Sequence, residues 1–493
     1  MVGHYKRAPL LGMIMLLWMG IILANGPDTL WTRTYGGDSA EVGYSVQQTY
    51  DEGYIITGYT KSFGAGLSDV YLIKTDEYGD TTWTKTYGGS NADVGYSVQQ
   101  TSDSGYIIAG YTKSFGEGRE DVYLIKTDEN GDVIWSKTYG GPYIDVGRSV
   151  QQTSDSGYIV AGWTKLGNSG DYDVYLIQTD ARGDTLWTRK YGTSICGWRS
   201  DDRGYSVQQT SDSGYIITGY TDFPTVDGPC VYLIKTEAGG DTIWTKVYGS
   251  GASMFIGYSL QQTIDGGYII AGLYDDYYKG SHIYLIKTDS IGNTIWTGIY
   301  GGCAGYSVQQ TPDGGYIVAG VTAFSGWADI NLVKIDSIGD TIWTKIYGGT
   351  EADEGWSVRK TFDGEYIVAG GTQSFGAGDW DVYLIKTEVD PVSIEEEEYH
   401  QKEFFISQCV PNPFKNRTLI QYGLPKSSNV RIVISNLIGQ EVRTLINKKE
   451  NAGQHMVMWD GRDNSGKKVS SGVYFLKFQT GEYDVARKLF LIK

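Results

Sequence analysis

Histidine, the side chain that titrates nearest neutrality, occurs four times in 493 residues, at His4, His282, His400 and His455. Only His282 lies in the long repetitive body, which excludes a histidine-based triad or a two-histidine metal site there. Carboxylates and aromatics remain. Asp201 and Asp202 follow Trp198 and Arg199, Asp275 and Asp276 stand among Tyr274, Tyr277 and Tyr278, and Trp327 and Trp380 occur singly. Aromatic faces stack on sugar rings while charged groups bond hydroxyls, so these residues are expected to form a ligand-binding surface. Held about 5–9.5 Å apart across a cleft, two such carboxylates would instead hydrolyse glycosidic bonds. Asp201, Asp202, Asp275 and Asp276 are the only catalytic candidates. No cofactor and no metal are expected. Asp128, Asn130 and Asp132 alternate as calcium ligands do, but other copies put Ile291 or Ile338 in the middle, so the pattern reads as a turn held by its aspartate. The four cysteines form no CxxC; Cys196 and Cys230 fall in one repeat and are expected to form a disulfide.

These residues must be positioned by a repeat. Tryptophans recur at Trp31, Trp83, Trp135, Trp187, Trp244, Trp296 and Trp343. Each opens a segment like WTKTYGG at 83–89. Copies of GYSVQQT (43–49), GYIIAG (105–110) and DVYLIKTD (121–128) follow in order. Each block is short, rich in Tyr, Val, Ile and Thr, and bounded by Gly or Asp, which are strand signals. The third strand is apolar on both faces, so neighbouring sheets must cover both. Four strands per unit, stacked face to face seven times, predict a seven-bladed β-propeller over 27–394. GYSVQQT lies at the channel and the Trp strand at the rim. Residues 30–35 open the chain without a blade, and 381–387 lack a Trp strand. They are expected to pair and close the ring, which removes exposed edges.

Gly accounts for 68 residues and Pro for 10, with no G-X-Y period, which excludes collagen. Lys and Arg number 24 against 47 Asp and Glu in 25–394, an acidic balance that argues against nucleic acid. Lys6 and Arg7 precede a 15-residue apolar run at 10–24. The run is short for a membrane span and reads as a signal peptide ending near residue 26. The mature chain is thus expected outside the cytoplasm with no integral membrane segment. An acidic linker, EEEEYHQKE at 395–403, opens the stretch 395–408 that leads to a different domain at 409–493.

That domain carries PNPF at 411–414, TLIQY at 418–422, VRIVISN at 430–436, Gly439, AGQH at 452–455, WDG at 459–461, Gly466, SGVY at 471–474 and a terminal KLFLIK. It resembles the type A C-terminal sorting domain of the type IX secretion system. It is also similar to the Ig-like domain of flagellar hook-capping proteins. The resemblance implies a small β-sandwich, recognition by secretion machinery through 409–493, and tail removal or surface attachment after export. The propeller repeat is similar to that of quinoprotein-like propellers, with no quinone or calcium ligand matched, so this resemblance implies fold alone.

Three functions fit. The first is a secreted or cell-surface propeller that binds a glycan or a protein. The second is an extracellular polysaccharide hydrolase using the loop carboxylates. The third is a structural surface-layer protein. Enlarged loops, which depart from the repeat, are expected to hold the site.

Overall fold

The computed structural model describes residues 26–165, 167, 171–192, 200–222, 228–251, 253–276, 278–323, 328–390, 405–406, 414, 418–450, 453–481 and 483–492. Every regular element among them is a strand. Between Thr29 and Thr387 the strands form seven antiparallel sheets of four. In the first blade Glu41–Gln48 is innermost, followed outward by Tyr54–Thr60, Asp69–Thr75 and Thr81–Tyr87. The inner strands of successive blades touch in order around the ring, and that of the last blade, Asp353–Lys360, touches that of the first. The outermost strand of the last blade comes from the other end of the propeller: Thr29–Tyr35 pairs antiparallel with Asp381–Thr387.

Two rim contacts explain why Trp and Tyr recur. Each outer-strand Trp meets the first Tyr of the next blade's second strand edge-on, with centroids 5.8–6.2 Å apart and planes at 60–64°. Such geometry favours the electropositive edge of one ring over the face of another. Each outer-strand Tyr also donates its hydroxyl to the glycine carbonyl of the next blade's outer turn, as Tyr87 does to Gly131 at 2.6 Å. At the ring junction that turn does not exist. Residues 26–28 take its place: Tyr347 donates to the Pro27 carbonyl at 2.8 Å, and Lys345 pairs with Asp28 at 2.6 Å. Asp390 completes the clasp by accepting from Trp343 Nε1 at 3.0 Å and Tyr366 OH at 2.9 Å. Trp343 is fully buried there, whereas its six counterparts are half-exposed.

The inner strands all bulge at one place. Register slips between Gly43 and Ser45 and at the equivalent step of the other six. A bulge breaks the alternation of side chains, so Tyr44 and Ser45, though adjacent, both line the axis. Glycine is needed opposite: a Cβ on Gly58 would sit 1.7 Å from the Val42 carbonyl oxygen.

The C-terminal part has a three-stranded and a four-stranded sheet. Trp459, Phe414, Tyr422, Ile432 and Phe478 are buried in one cluster between them, as an Ig-like sandwich requires.

Candidate binding funnel on the propeller axis

The bulge residues form a closed collar. Tyr44, Tyr96, Arg148, Tyr205, Tyr258, Tyr306 and Trp356 each touch the next, with ring centroids 4.1–5.3 Å apart where both are aromatic. The Arg148 guanidinium closes the remaining gap, 3.8 Å from the Tyr96 ring and 5.4 Å from that of Tyr205. Burial pushes the Tyr44, Tyr258 and Tyr306 hydroxyls far above the ordinary tyrosine range, so they are neutral donors at any physiological pH.

Above the collar, towards the loop face, a second tier makes the funnel lopsided. Four blades place half-buried aromatics there, Tyr59, Tyr111, Trp163 and Tyr220; the other three place Leu273, Val321 and Gly371. Across from these in register stand Val42, Val94, Val146, Arg203, Ile256, Ala304 and Glu354. Arg203 lies over three rings, 4.3 Å from Tyr172, 5.3 Å from Trp163 and 6.0 Å from Tyr220. Glu354, in the last blade, accepts from Trp356 Nε1 at 3.1 Å, and burial raises its carboxyl above the usual range. The funnel therefore has an aromatic side with two arginines and an aliphatic side with one carboxylate.

Below the collar seven serines, Ser45 among them, each accept a backbone N–H from the neighbouring inner strand at 3.2–3.4 Å. Collar, serines and Arg359 enclose a cavity of about 140 Å³.

The loop residues singled out from sequence are placed differently. Trp198, Arg199, Tyr277, Trp327 and Cys196 lie outside the described residues. Asp202 is buried at the start of an inner strand, in the position of Asp93, Asp145 and Asp353, whose carboxylates accept N–H groups of the preceding loop. Its charge acts on Asp173, whose carboxyl is raised by burial and then by that neighbour. The same inter-blade couple recurs as Asp69 with Asp93, Asp121 with Asp145, and Asp329 with Asp353. Asp201 is half-buried, 3.8 Å from Arg203. Asp275 accepts from Ser281 at 2.6 Å. Asp276 holds its own turn, accepting from the Tyr278 and Lys279 N–H groups, Ser253 and Tyr274. Asp275 and Asp276 are successive strand residues and point to opposite faces. Tyr274 is buried against Phe255 and His282; Tyr278 is exposed. Trp380 is half-buried and bridges to Ala40. The Cys230 thiol is buried and donates to the Gly228 carbonyl at 3.7 Å. No group of three or more His, Cys, Asp or Glu that could hold a metal gathers among the described residues.

Reading function from loops thus overlooks the collar. The signal was inside the best-conserved block of the repeat: GYSVQQT becomes GRSVQQT at 147–153 and GWSVRKT at 355–361.

Residues 415–482 match the FlgD Ig-like domain family. Over 178 residues the chain is 27% identical to the regulatory protein FlaEY of Caulobacter vibrioides, covering 30% of this chain and 19% of that protein, so it spans about a fifth of that relative's length. Among solved structures it is similar to PorZ, a surface component of the type IX secretion system of Porphyromonas gingivalis (12% identity, TM-score 0.42, 93% of this chain and 60% of that one). It is also similar to the BP39L lectin of Burkholderia pseudomallei (9% identity, TM-score 0.42, 70% and 98%).

Proposed function

We propose that this chain is a secreted or cell-surface propeller that binds a ligand, a glycan or a protein segment, at the mouth of its axial funnel. The observation that carries this reading is the lopsidedness of the funnel. A scaffold built from near-identical blades has no structural need for Arg148, Trp163, Arg203, Glu354 and Trp356 where its other copies put Tyr or an aliphatic residue. Gathered at one mouth, they offer flat faces for stacking and charges for orientation. Export is the second half of the proposal. The basic and apolar residues 6–24 act as a signal peptide ending near residue 26, and 409–493, after the acidic linker 395–408, acts as a sorting tail read by secretion machinery. The Ig-like match of 415–482 supports that role.

The test uses variants that restore the repeat and so keep the fold: Arg148→Tyr, Arg203→Val, Glu354→Val and Trp356→Tyr. The full mature chain is screened on glycan and peptide arrays, with reducing-sugar release measured in parallel. Binding that drops at least tenfold in Arg148→Tyr or Trp356→Tyr, without sugar release, is expected. Binding indifferent to all four variants would sink the funnel as the site.

A further inference from the structure

The channel below the collar has a chemistry that ligand capture at the mouth does not use. We infer that it holds an anion seat, in which a carboxylate, sulfate or phosphate group is bound by Arg359 and the ring of serine hydroxyls. The inference stands on the channel alone and is independent of where the protein resides or what its mouth binds.

The lining is rich in donors. Each serine oxygen already accepts an N–H from the next blade; Ser307 spends its own O–H on the Val358 carbonyl at 3.4 Å, and the other six keep theirs to donate. Arg359 Nη1 donates to Ser307 Oγ at 3.2 Å and to the Val358 carbonyl at 2.8 Å. No residue lining the cavity is acidic, and among the described residues no carboxylate forms an ion pair with Arg359. The nearest acidic departure from the repeat, Glu354, is engaged by Trp356 at the mouth. Burial without a nearby carboxylate pulls the Arg359 guanidinium below its ordinary range, the mark of a charge lacking compensation. An anion from solution supplies that compensation.

Arg359 also breaks a structural ring. In six blades the first Gln of the inner strand accepts, through Oε1, the N–H of the second such position in the next blade, as Gln47 does from Gln100 at 2.7 Å and Gln309 from Lys360 at 2.6 Å. The seventh link would run from residue 359 to Gln48. Arginine has no acceptor to offer, so this interlock is given up where the charge is introduced. The neighbouring change at Lys360 has a different cause. The second Gln normally accepts from the residue after the inner-strand Thr of the preceding blade, as Gln310 does from Ile264. For residue 360 that donor position is Pro312, which has no N–H. Lys360 thus has a structural explanation, and Arg359 does not.

The test compares the full mature protein with Arg359→Gln, which installs the residue of the other six blades and returns an acceptor to Gln48. Thermal unfolding and calorimetric titration are run with sulfate, phosphate, acetate and glucuronate against chloride at equal ionic strength, with glucose as the neutral control for glucuronate. The oxyanions are expected to raise the wild-type Tm by several degrees. Arg359→Gln should bind them at least tenfold more weakly while unfolding no lower than wild type in chloride. Glucuronate bound more tightly than acetate assigns the seat to the acidic end of a sugar ligand; sulfate or phosphate bound more tightly assigns it to a free ion. Equal stabilisation of both proteins, or no oxyanion binding by wild type, overturns the inference.

Discussion

At the rim, seven tryptophans meet seven tyrosines in one geometry, and even the junction obeys the rule by borrowing residues 26–28. On the axis the same seven blades tolerate departures: Arg148 and Trp356 in the collar, Arg203 and Glu354 above it, Arg359 below. Both regions sit on the same strands, so the contrast separates two kinds of constraint. A rim contact is made between blades, and losing it opens a seam in a closed ring. An axial side chain faces a cavity, and changing it alters what the cavity can hold.

The largest effect should come from breaking the rim where it is least repeated. Trp343 is fully buried and bonded to Asp390, while Trp135 is half-exposed. Trp343→Ala is expected to cost about 3–5 kcal/mol, the usual range for deleting a buried aromatic, and Trp135→Ala about half of that. Urea unfolding of both measures the difference. Equal losses would mean that the junction is no more demanding than any other seam.

A smaller effect should come from the ion pairs behind the hairpins. Six blades bury a third-strand lysine against an aspartate of the inner hairpin. In most of them the aspartate is about half-exposed or more, as Asp51 is at 63%; Asp313, facing the fully buried Lys334, is 11% exposed. Asp313→Ala strands a buried ammonium and is expected to cost about 3 kcal/mol. Asp51 itself lies largely in water, so Asp51→Ala opens a path for water to the buried Lys74 ammonium and should cost about 1–2 kcal/mol, less than Asp313→Ala. Similar losses in the two variants would refute this difference in screening.

Much of this is legible in the sequence alone, for a physical reason. Strand type, strand order and blade stacking depend on patterns that every copy repeats, such as the Val122, Leu124 alternation and the Trp period. The two terminal strands lack partners in their own repeats, and they meet in one sheet. The Ig-like tail was legible from local motifs such as the WDG turn at 459–461. The funnel was not, because its departures are single letters inside a strand block, and repetition there reads as scaffold. Loops attract attention by their length, yet Asp202 is buried in the place of the repeat's inter-blade aspartates, and Asp276 accepts the backbone N–H groups of its own turn. Nor does sequence alternation reveal that Tyr44 and Ser45 share the axis, since only the bulge puts them there.

The gentlest test of the comparison is pH, which acts on the inter-blade carboxylates and the hairpin pairs in opposite directions. Asp381 lies between the last blade and the first, and burial, with the Glu41 charge adding to it, raises its carboxyl to about 6 against the Ala377 N–H that it accepts. A carboxyl raised in the folded state takes up a proton on folding, so its contribution is greatest below the unfolded value near 4 and is lost as pH rises through 6. Asp212 behaves oppositely. Burial works against its charge, but Thr210, Lys235 and the Gly214 N–H outweigh it and hold the carboxyl at about 2. Stability from that pair is present above about 4 and fades as pH falls towards 2. The propeller should therefore be most stable near pH 4, losing stability between about pH 4 and 6 on the alkaline side and below about 4 on the acid side. Asp381→Asn removes only the loss on the alkaline side, and is expected to be more stable than wild type at pH 7 by about 1–2 kcal/mol while converging with it near pH 4. Unfolding measured at pH 4, 5.5 and 7 decides: a variant less stable than wild type at pH 7 would mean that Asp381 is needed as a charge, and that the inter-blade carboxylates belong with the functional departures rather than with the scaffold.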